Sequence, residues 1–175
     1  MDSYSRNPAI LNKAALQALD AVGRLCAVTR TDSDLENLVL SIDRHLRDLR
    51  FDFVSLTLHR LVEEDQHLFE SHLITASTES SRTTQQREGV YRDWEAGKVI
   101  YRRDLDRALE GLPPESLKNR EANIGVSVKS TVNIPFSRGT FVIRSERPHA
   151  FDDFQIEFLL RLAYKLALAP VFQTA

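Results

Sequence analysis

The sequence predicts an α+β domain: one antiparallel sheet of five or six strands, with helices from both chain ends packed on one of its faces. Three observations predict it. Apolar residues recur at helical spacing near both ends of the chain, over 10–49 and 152–169. Between these stretches the period falls to two, most cleanly over 51–61 and 126–136. Short polar or glycine-bearing turns, Glu63-Glu64-Asp65 and Arg138-Gly139, join the period-two segments as hairpins.

The elements follow in order. Leu11, Ala15, Ala18, Val22 and Leu25 make one stripe, which predicts a helix over 10–29. Ser33 and Glu36 form a capping-box signature, with Asp32 and Asp34 at the start of a second helix. Leu35, Leu38, Val39, Ile42, Leu46 and Leu49 continue its apolar face. A strand is predicted over 51–61, with Leu56 and Leu58 on one face and Ser55, Thr57 and His59 on the other. Its hairpin partner covers 67–74. Residues 76–87, rich in Ser, Thr and Gln without periodicity, are predicted as a loop. A short helix over 88–96 stops at Gly97, and a short strand follows at 99–102. A long connection, with a helix starting near Pro114, leads to a strand over 126–136. Gly139 to Ser145 returns beside it, with Gly139 supplying the tight turn. Asp152 and Gln155 cap a last helix, which Pro170 ends or kinks.

The totals bound the function. A length of 175 residues and an apolar fraction of 42% suit one globular domain. A net charge of −2 lacks the basic excess expected of a nucleic-acid binder. No apolar run approaches the roughly 18–20 residues of a membrane span, and the polar start, Met1 to Pro8, carries no signal-peptide core. A cytoplasmic location is expected. The single cysteine, Cys26, excludes an internal disulfide and a cysteine-rich zinc cluster.

A resemblance enters with residues 133–163, "NIPFSRGTFVIRSERPHAFDDFQIEFLLRLA". Ile134-Pro135, the Gly139-led apolar strand, Ser145, Pro148, Ala150-Phe151 and Asp152-Asp153 resemble the closing hairpin and helix of GAF domains, relatives of the PAS fold. "YRDWEAGKVIYRRDL", residues 91–105, is similar to the run before and through the middle strand of GAF domains in bacterial sensor proteins. The resemblance divides the chain into an N-terminal helix over 1–30, a GAF domain over 31–170 and a tail over 171–175.

What the resemblance implies is a sensory or regulatory domain of a bacterial signalling protein, binding a small molecule or a partner domain. Its ligand cavity would lie on the sheet face away from the terminal helices. Trp94, Tyr101 and Arg103 would stand at the opening, with Ser55, Thr57, Thr131 and Asn133 reaching in from the sheet. Cys26 precedes the sheet and is not placed to attach a bilin, so no covalent chromophore is expected, and no other cofactor. The fold's methionine sulfoxide reductases use several cysteines, and one cannot form their disulfide. The Asn-Lys…Phe…Asp-Glu pattern of cyclic-nucleotide binders is missing, because Phe151 runs straight into Asp152-Asp153. His59, His67 and His72 show no metal-ligand spacing, and the glycines are too scattered for a phosphate loop. With no nucleophile or acid–base pair at readable spacing, the chain itself is expected not to be an enzyme; a small cytosolic enzyme stands as a rival. The expected partners are a second copy, bound through 10–29 and 152–169, and a downstream output domain, with no nucleic acid and no membrane. The alternative is a dimerisation module with a vestigial pocket.

Overall fold

The computed structural model describes residues 11–75, 79–106 and 127–173. The predicted helix near Pro114, the start of the strand at Val126 and residues 76–78 of the predicted loop lie outside them.

Helix α1, Lys13–Ala27, begins where the Asn12 side chain accepts the Ala15 N–H at 2.8 Å. Its stripe of Ala15, Ala18, Leu19, Val22 and Cys26 is buried. Helix α2, Asp32–Asp48, starts two residues earlier than the Ser33–Glu36 signature suggests. The Thr31 hydroxyl accepts the Asp34 N–H, and the Asp34 carboxylate accepts the Thr31 N–H, closing the reciprocal pair two residues sooner. The N–H groups of Arg30 and Thr31, both donating to it, hold the Asp34 carboxyl below its ordinary range. Glu36, freed from capping, accepts a hydrogen bond from Ser80 Oγ at 3.1 Å.

Six antiparallel strands follow: β1 Ser55–Glu63, β2 Leu68–Thr75, β3 Ser80–Gln86, β4 Ile100–Arg102, β5 Ser130–Phe136 and β6 Gly139–Ser145. Their spatial order is β3-β2-β1-β6-β5-β4, so β1 and β6 are central. The first begins at Ser55 rather than 51; Phe51 and Phe53 precede it and bury their rings, Phe51 against Phe158 at 5.6 Å. β3 corrects the predicted loop. Every one of its residues is exposed, so no apolar alternation marked it. Helix α3, Glu88–Ala96, lies between β3 and β4 in sequence and ends at Gly97 with φ 64°, as a left-handed cap requires. Helix α4, Asp153–Ala167, carries the capping box of Asp152 and Gln155. Pro170 opens a short 3-10 turn, Pro170–Phe172.

α1, α2 and α4 share one apolar core with one face of the sheet. Leu56, Leu58, Ile74, Val132, Ile134, Phe141 and Ile143 rise from the strands to meet Leu35, Leu38, Ile42, Phe158, Leu162 and Leu166. Val171 and Phe172, in the stretch expected as a tail, are buried too; Phe172 stacks edge-on against Phe136 at 4.9 Å. Gly139 is needed for space rather than for a positive φ, which among the described glycines only Gly97 has. A Cβ on Gly139 would stand 2.7 Å from the His59 carbonyl oxygen and 2.8 Å from the Phe136 ring. No described helix is long and apolar enough to cross a membrane.

Candidate functional site

Strand alternation puts a second set of side chains on the sheet face opposite the helices. On β1 these are Ser55, Thr57 and His59. Register places Arg144, Val142 and Thr140 of β6 directly across from them. On β5, Thr131, Asn133 and Pro135 come next, and on β4, Arg102 and Ile100 close the rows. One row therefore reads Ser55, Arg144, Thr131, Arg102 across four strands. The polar members of this face are buried: Ser55, Thr57, Thr131, Asn133, Thr140 and Arg144 are all at most 8% exposed.

Buried polar atoms need partners, and most of these have them. Arg144 Nη1 donates to Thr57 Oγ1 at 2.8 Å and reaches Ser55 Oγ at 3.5 Å. Thr140 Oγ1 donates to Asn133 Oδ1. Asn133 Nδ2 donates to Asp93 Oδ2 at 2.9 Å, which ties α3 over the end of the face, and Arg102 stands 3.7 Å from the same carboxylate oxygen. His59 Nδ1 and Ser71 Oγ are hydrogen-bonded at 2.6 Å. The Thr131 hydroxyl is fully buried and, among the described residues, has no hydrogen-bond partner.

Four predicted site residues, Ser55, Thr57, Thr131 and Asn133, thus come together. Trp94 stands at the margin, its indole N–H donating to the Ser137 carbonyl at the β5–β6 turn at 3.0 Å. Tyr101 and Arg103 do not join them. Tyr101 pairs with Val132 and so points to the helix side, where its hydroxyl accepts the Phe151 N–H at 3.0 Å. The Arg103 guanidinium lies over the Tyr101 ring at 4.8 Å. The resemblance implied a rim shared with Trp94, but the parity of β4 sends Tyr101 to the helix side. Arg144 was missed. Its signal was a charge directly after the apolar run Phe141-Val142-Ile143, a costly placement without polar neighbours.

A second polar cluster lies on the helix side, near the sheet edge. Glu70 is buried and receives Arg60 at 3.1 Å, Arg82 at 3.0 Å and His72 Nε2 at 2.8 Å. Both arginines also reach Asp32 at the start of α2, each at 2.8 Å. Burial alone would raise the Glu70 carboxyl, but the bond from His72 and the two guanidinium charges outweigh it and hold it below its ordinary range. Beside this cluster is a cleft of about 220 Å³ lined by Asp32, Glu36, His72, Ser80 and Arg82. Cys26 belongs to neither: it is buried on α1, and desolvation pushes its thiol up to about 11.

No protein-family model matches the sequence, and no curated protein is similar to it in sequence. Solved structures are similar in fold. A GAF domain structure superposes with a TM-score of 0.61 at 15% identity, covering 89% of this chain and 86% of that one. The GAF domain of a phosphoenolpyruvate-protein phosphotransferase from Acinetobacter gives 0.55 at 13%, covering 90% and 92%. Free methionine-R-sulfoxide reductase from Neisseria meningitidis, in complex with its substrate, gives 0.59 at 16%, covering 91% of each chain. Further free methionine-R-sulfoxide reductases superpose over similar lengths. The expectation that the chain is not an enzyme, drawn from the lack of a nucleophile or acid–base pair at readable spacing, is overturned by these structures: a fold shared along most of this chain is also a fold of enzymes.

Proposed function

We propose that this chain, a domain of GAF-like fold, binds a small polar molecule carrying an anionic group on the sheet face opposite its helices, and serves a regulatory or sensory role by doing so. The observation that carries the reading is the buried Thr131 hydroxyl without a partner, set between Arg144 and Arg102 in one row. Leaving such a group unsatisfied costs about 1–3 kcal/mol. A carboxylate over this row would accept from Thr131 and from a guanidinium, while Ser55 and Thr57 would bond its remaining polar atoms. That the Neisseria enzyme is described with its substrate supports the fold as a host for a free small molecule.

The sensory part rests on connectivity. β5 carries Thr131 on the polar face and Val132 and Ile134 in the core beneath α4, so a shift of β5 on binding reaches the terminal helices directly. A downstream output domain would read that shift. Native mass spectrometry of the purified protein, followed by thermal-shift titration with small carboxylic acids, tests the binding. A retained or added acid that raises the melting midpoint, and fails to do so in Arg144→Met, supports the reading. No shift with any acid and no retained molecule would overturn it.

Catalysis on the same face is a second reading, favoured by the reductase structures. The polar face would hold the sulfoxide, and an added thiol would supply the two electrons, leaving as its disulfide with the oxygen released as water, since the one cysteine, Cys26, sits in the helix layer with its thiol pushed up to about 11. Loss of free methionine-R-sulfoxide in the presence of a thiol reductant would establish it.

A further inference from the structure

Among the described residues, no strand pairs with the outer edge of β3. β3 pairs with β2 on one side and is the end strand of the sheet, with all seven of its residues exposed. Its register determines which backbone groups face outward. The Thr75 N–H donates to the Glu79 carbonyl at 3.2 Å, and at the far end the Arg87 N–H donates to the His67 carbonyl at 3.0 Å. Between them the pairing runs from Ile74–Ser80 to Leu68–Gln86 without a shift. Residues 81, 83 and 85 therefore turn their N–H and C=O toward β2. Ser80, Arg82, Thr84 and Gln86 turn theirs outward.

Natural sheets blunt such edges with short strands, Pro, Lys or bulges. The opposite edge obeys this: β4 is three residues long. β3, with the sequence SSRTTQQ, has none of these devices. Its one charge, Arg82, is neutralised inside the chain by Asp32 and Glu70.

We propose that β3 pairs antiparallel with β3 of a second copy of the chain, about a two-fold axis at Thr83, joining the two six-stranded sheets into one. The strand is complementary to itself in this register. Residue 80 meets 86 and 82 meets 84, so every outward N–H and C=O of both copies enters a hydrogen-bonded pair. A one-residue slip sets outward groups against inward ones. A two-residue slip one way puts Arg82 opposite Arg82; the other way it leaves Ser80 unpaired. In the proposed register Arg82 meets Thr84, Ser81 meets Gln85 and Thr83 meets Thr83, uncharged or singly charged pairs of the kind that stabilise strand contacts. This interface is separate from the helical one over 10–29 and 152–169, because the α1 stripe that suggested the latter is buried against the chain's own core.

Sedimentation velocity and oxidative cross-linking test the proposal. The wild-type protein is expected to be a dimer at tens of micromolar. Thr84→Pro removes one outward N–H and leaves every bond to β2, so it should give a folded monomer with unchanged circular dichroism, whose melting midpoint no longer rises with protein concentration. Thr83→Cys sets two thiols across a non-hydrogen-bonded pair about 4.5 Å apart at Cα, within disulfide reach. Copper–phenanthroline and air should convert it to a covalent dimer, whereas Ser81→Cys, facing Gln85, should stay uncoupled. Buried Cys26 is silent in both. A wild-type monomer would overturn the proposal. So would a dimer that survives Thr84→Pro and dissociates with Leu16→Glu or Tyr164→Glu, on the exposed helix surface. Equal cross-linking of Ser81→Cys and Thr83→Cys, or a monomer that holds an unrelated extended peptide along β3, would do the same.

Discussion

The two faces of the sheet are buried to nearly the same degree and made of opposite chemistry. Under the helices lie Leu56, Leu58, Val132, Ile134, Phe141 and Ile143. On the other side lie Ser55, Thr57, Thr131, Asn133, Thr140 and Arg144. Alternate residues of the same strands supply both. Burial by itself does not separate a core from a site; what separates them is whether the buried atoms make demands that neighbours must meet. The apolar face stabilises the fold through area removed from water. The polar face contributes little net stability for the same area, and its hydrogen bonds fix where groups point.

The sharpest break of this contrast is on the apolar face. Ile134→Asp buries a charge among aliphatic side chains, and Phe151→Ala empties the space beside Phe51 and Tyr101. Each is expected to destabilise by about 3–5 kcal/mol, read from denaturant unfolding. Glu70→Gln tests the buried ionic cluster. With Arg60 and Arg82 left facing a neutral amide, a loss of about 3 kcal/mol is expected at neutral pH. The sign in acid follows from the depressed carboxyl. Its contribution is complete above the ordinary value of 4.5 and is lost as pH falls through the lower folded value, because the proton then binds the unfolded chain more readily. Wild-type stability should drop through that acid range, and Glu70→Gln should show a shallower fall.

Gly139→Ala forces a methyl against the His59 carbonyl and the Phe136 ring. A loss of about 1–3 kcal/mol is expected, and Phe136→Leu in the same chain should recover part of it. The smallest effect separates the faces most cleanly. Thr131→Val removes the unpartnered hydroxyl while keeping its shape, so stability should hold or rise by about 1 kcal/mol as ligand binding is lost. A marked destabilisation would show that the hydroxyl serves the fold.

Much of this fold was legible because its elements announce themselves locally. The alternation read over 126–136 and the Asp152–Gln155 box both act over a few residues; the box stands where it was read, and the described strand is the later part of that run, Ser130–Phe136. β3 was illegible for the complementary reason: an edge strand exposed on both sides carries no burial pattern, and Ser, Thr and Gln read as loop. The site was half legible. Ser55, Thr57, Thr131 and Asn133 follow from parity along strands that were recognised. Tyr101 fell on the wrong face because β4 has three residues, too few to show a period, and only its register against Val132 orients it. Arg144 escaped notice because a strand assigned to the core is read for its apolar members.

The lone tryptophan gives the molecule a built-in optical probe with an unusually narrow field of view. Trp94 is hydrogen-bonded to the β5–β6 turn and leans on Tyr91 at 5.5 Å, while no residue of its helix is fully buried. Its emission therefore follows whether α3 is seated on the sheet, whereas far-ultraviolet dichroism is dominated by α1, α2 and α4. If α3 lifts before the core melts, the fluorescence transition precedes the dichroic one, and the gap between the two curves measures the free energy of that local opening. Ligand held under α3 closes the gap from the fluorescence side alone.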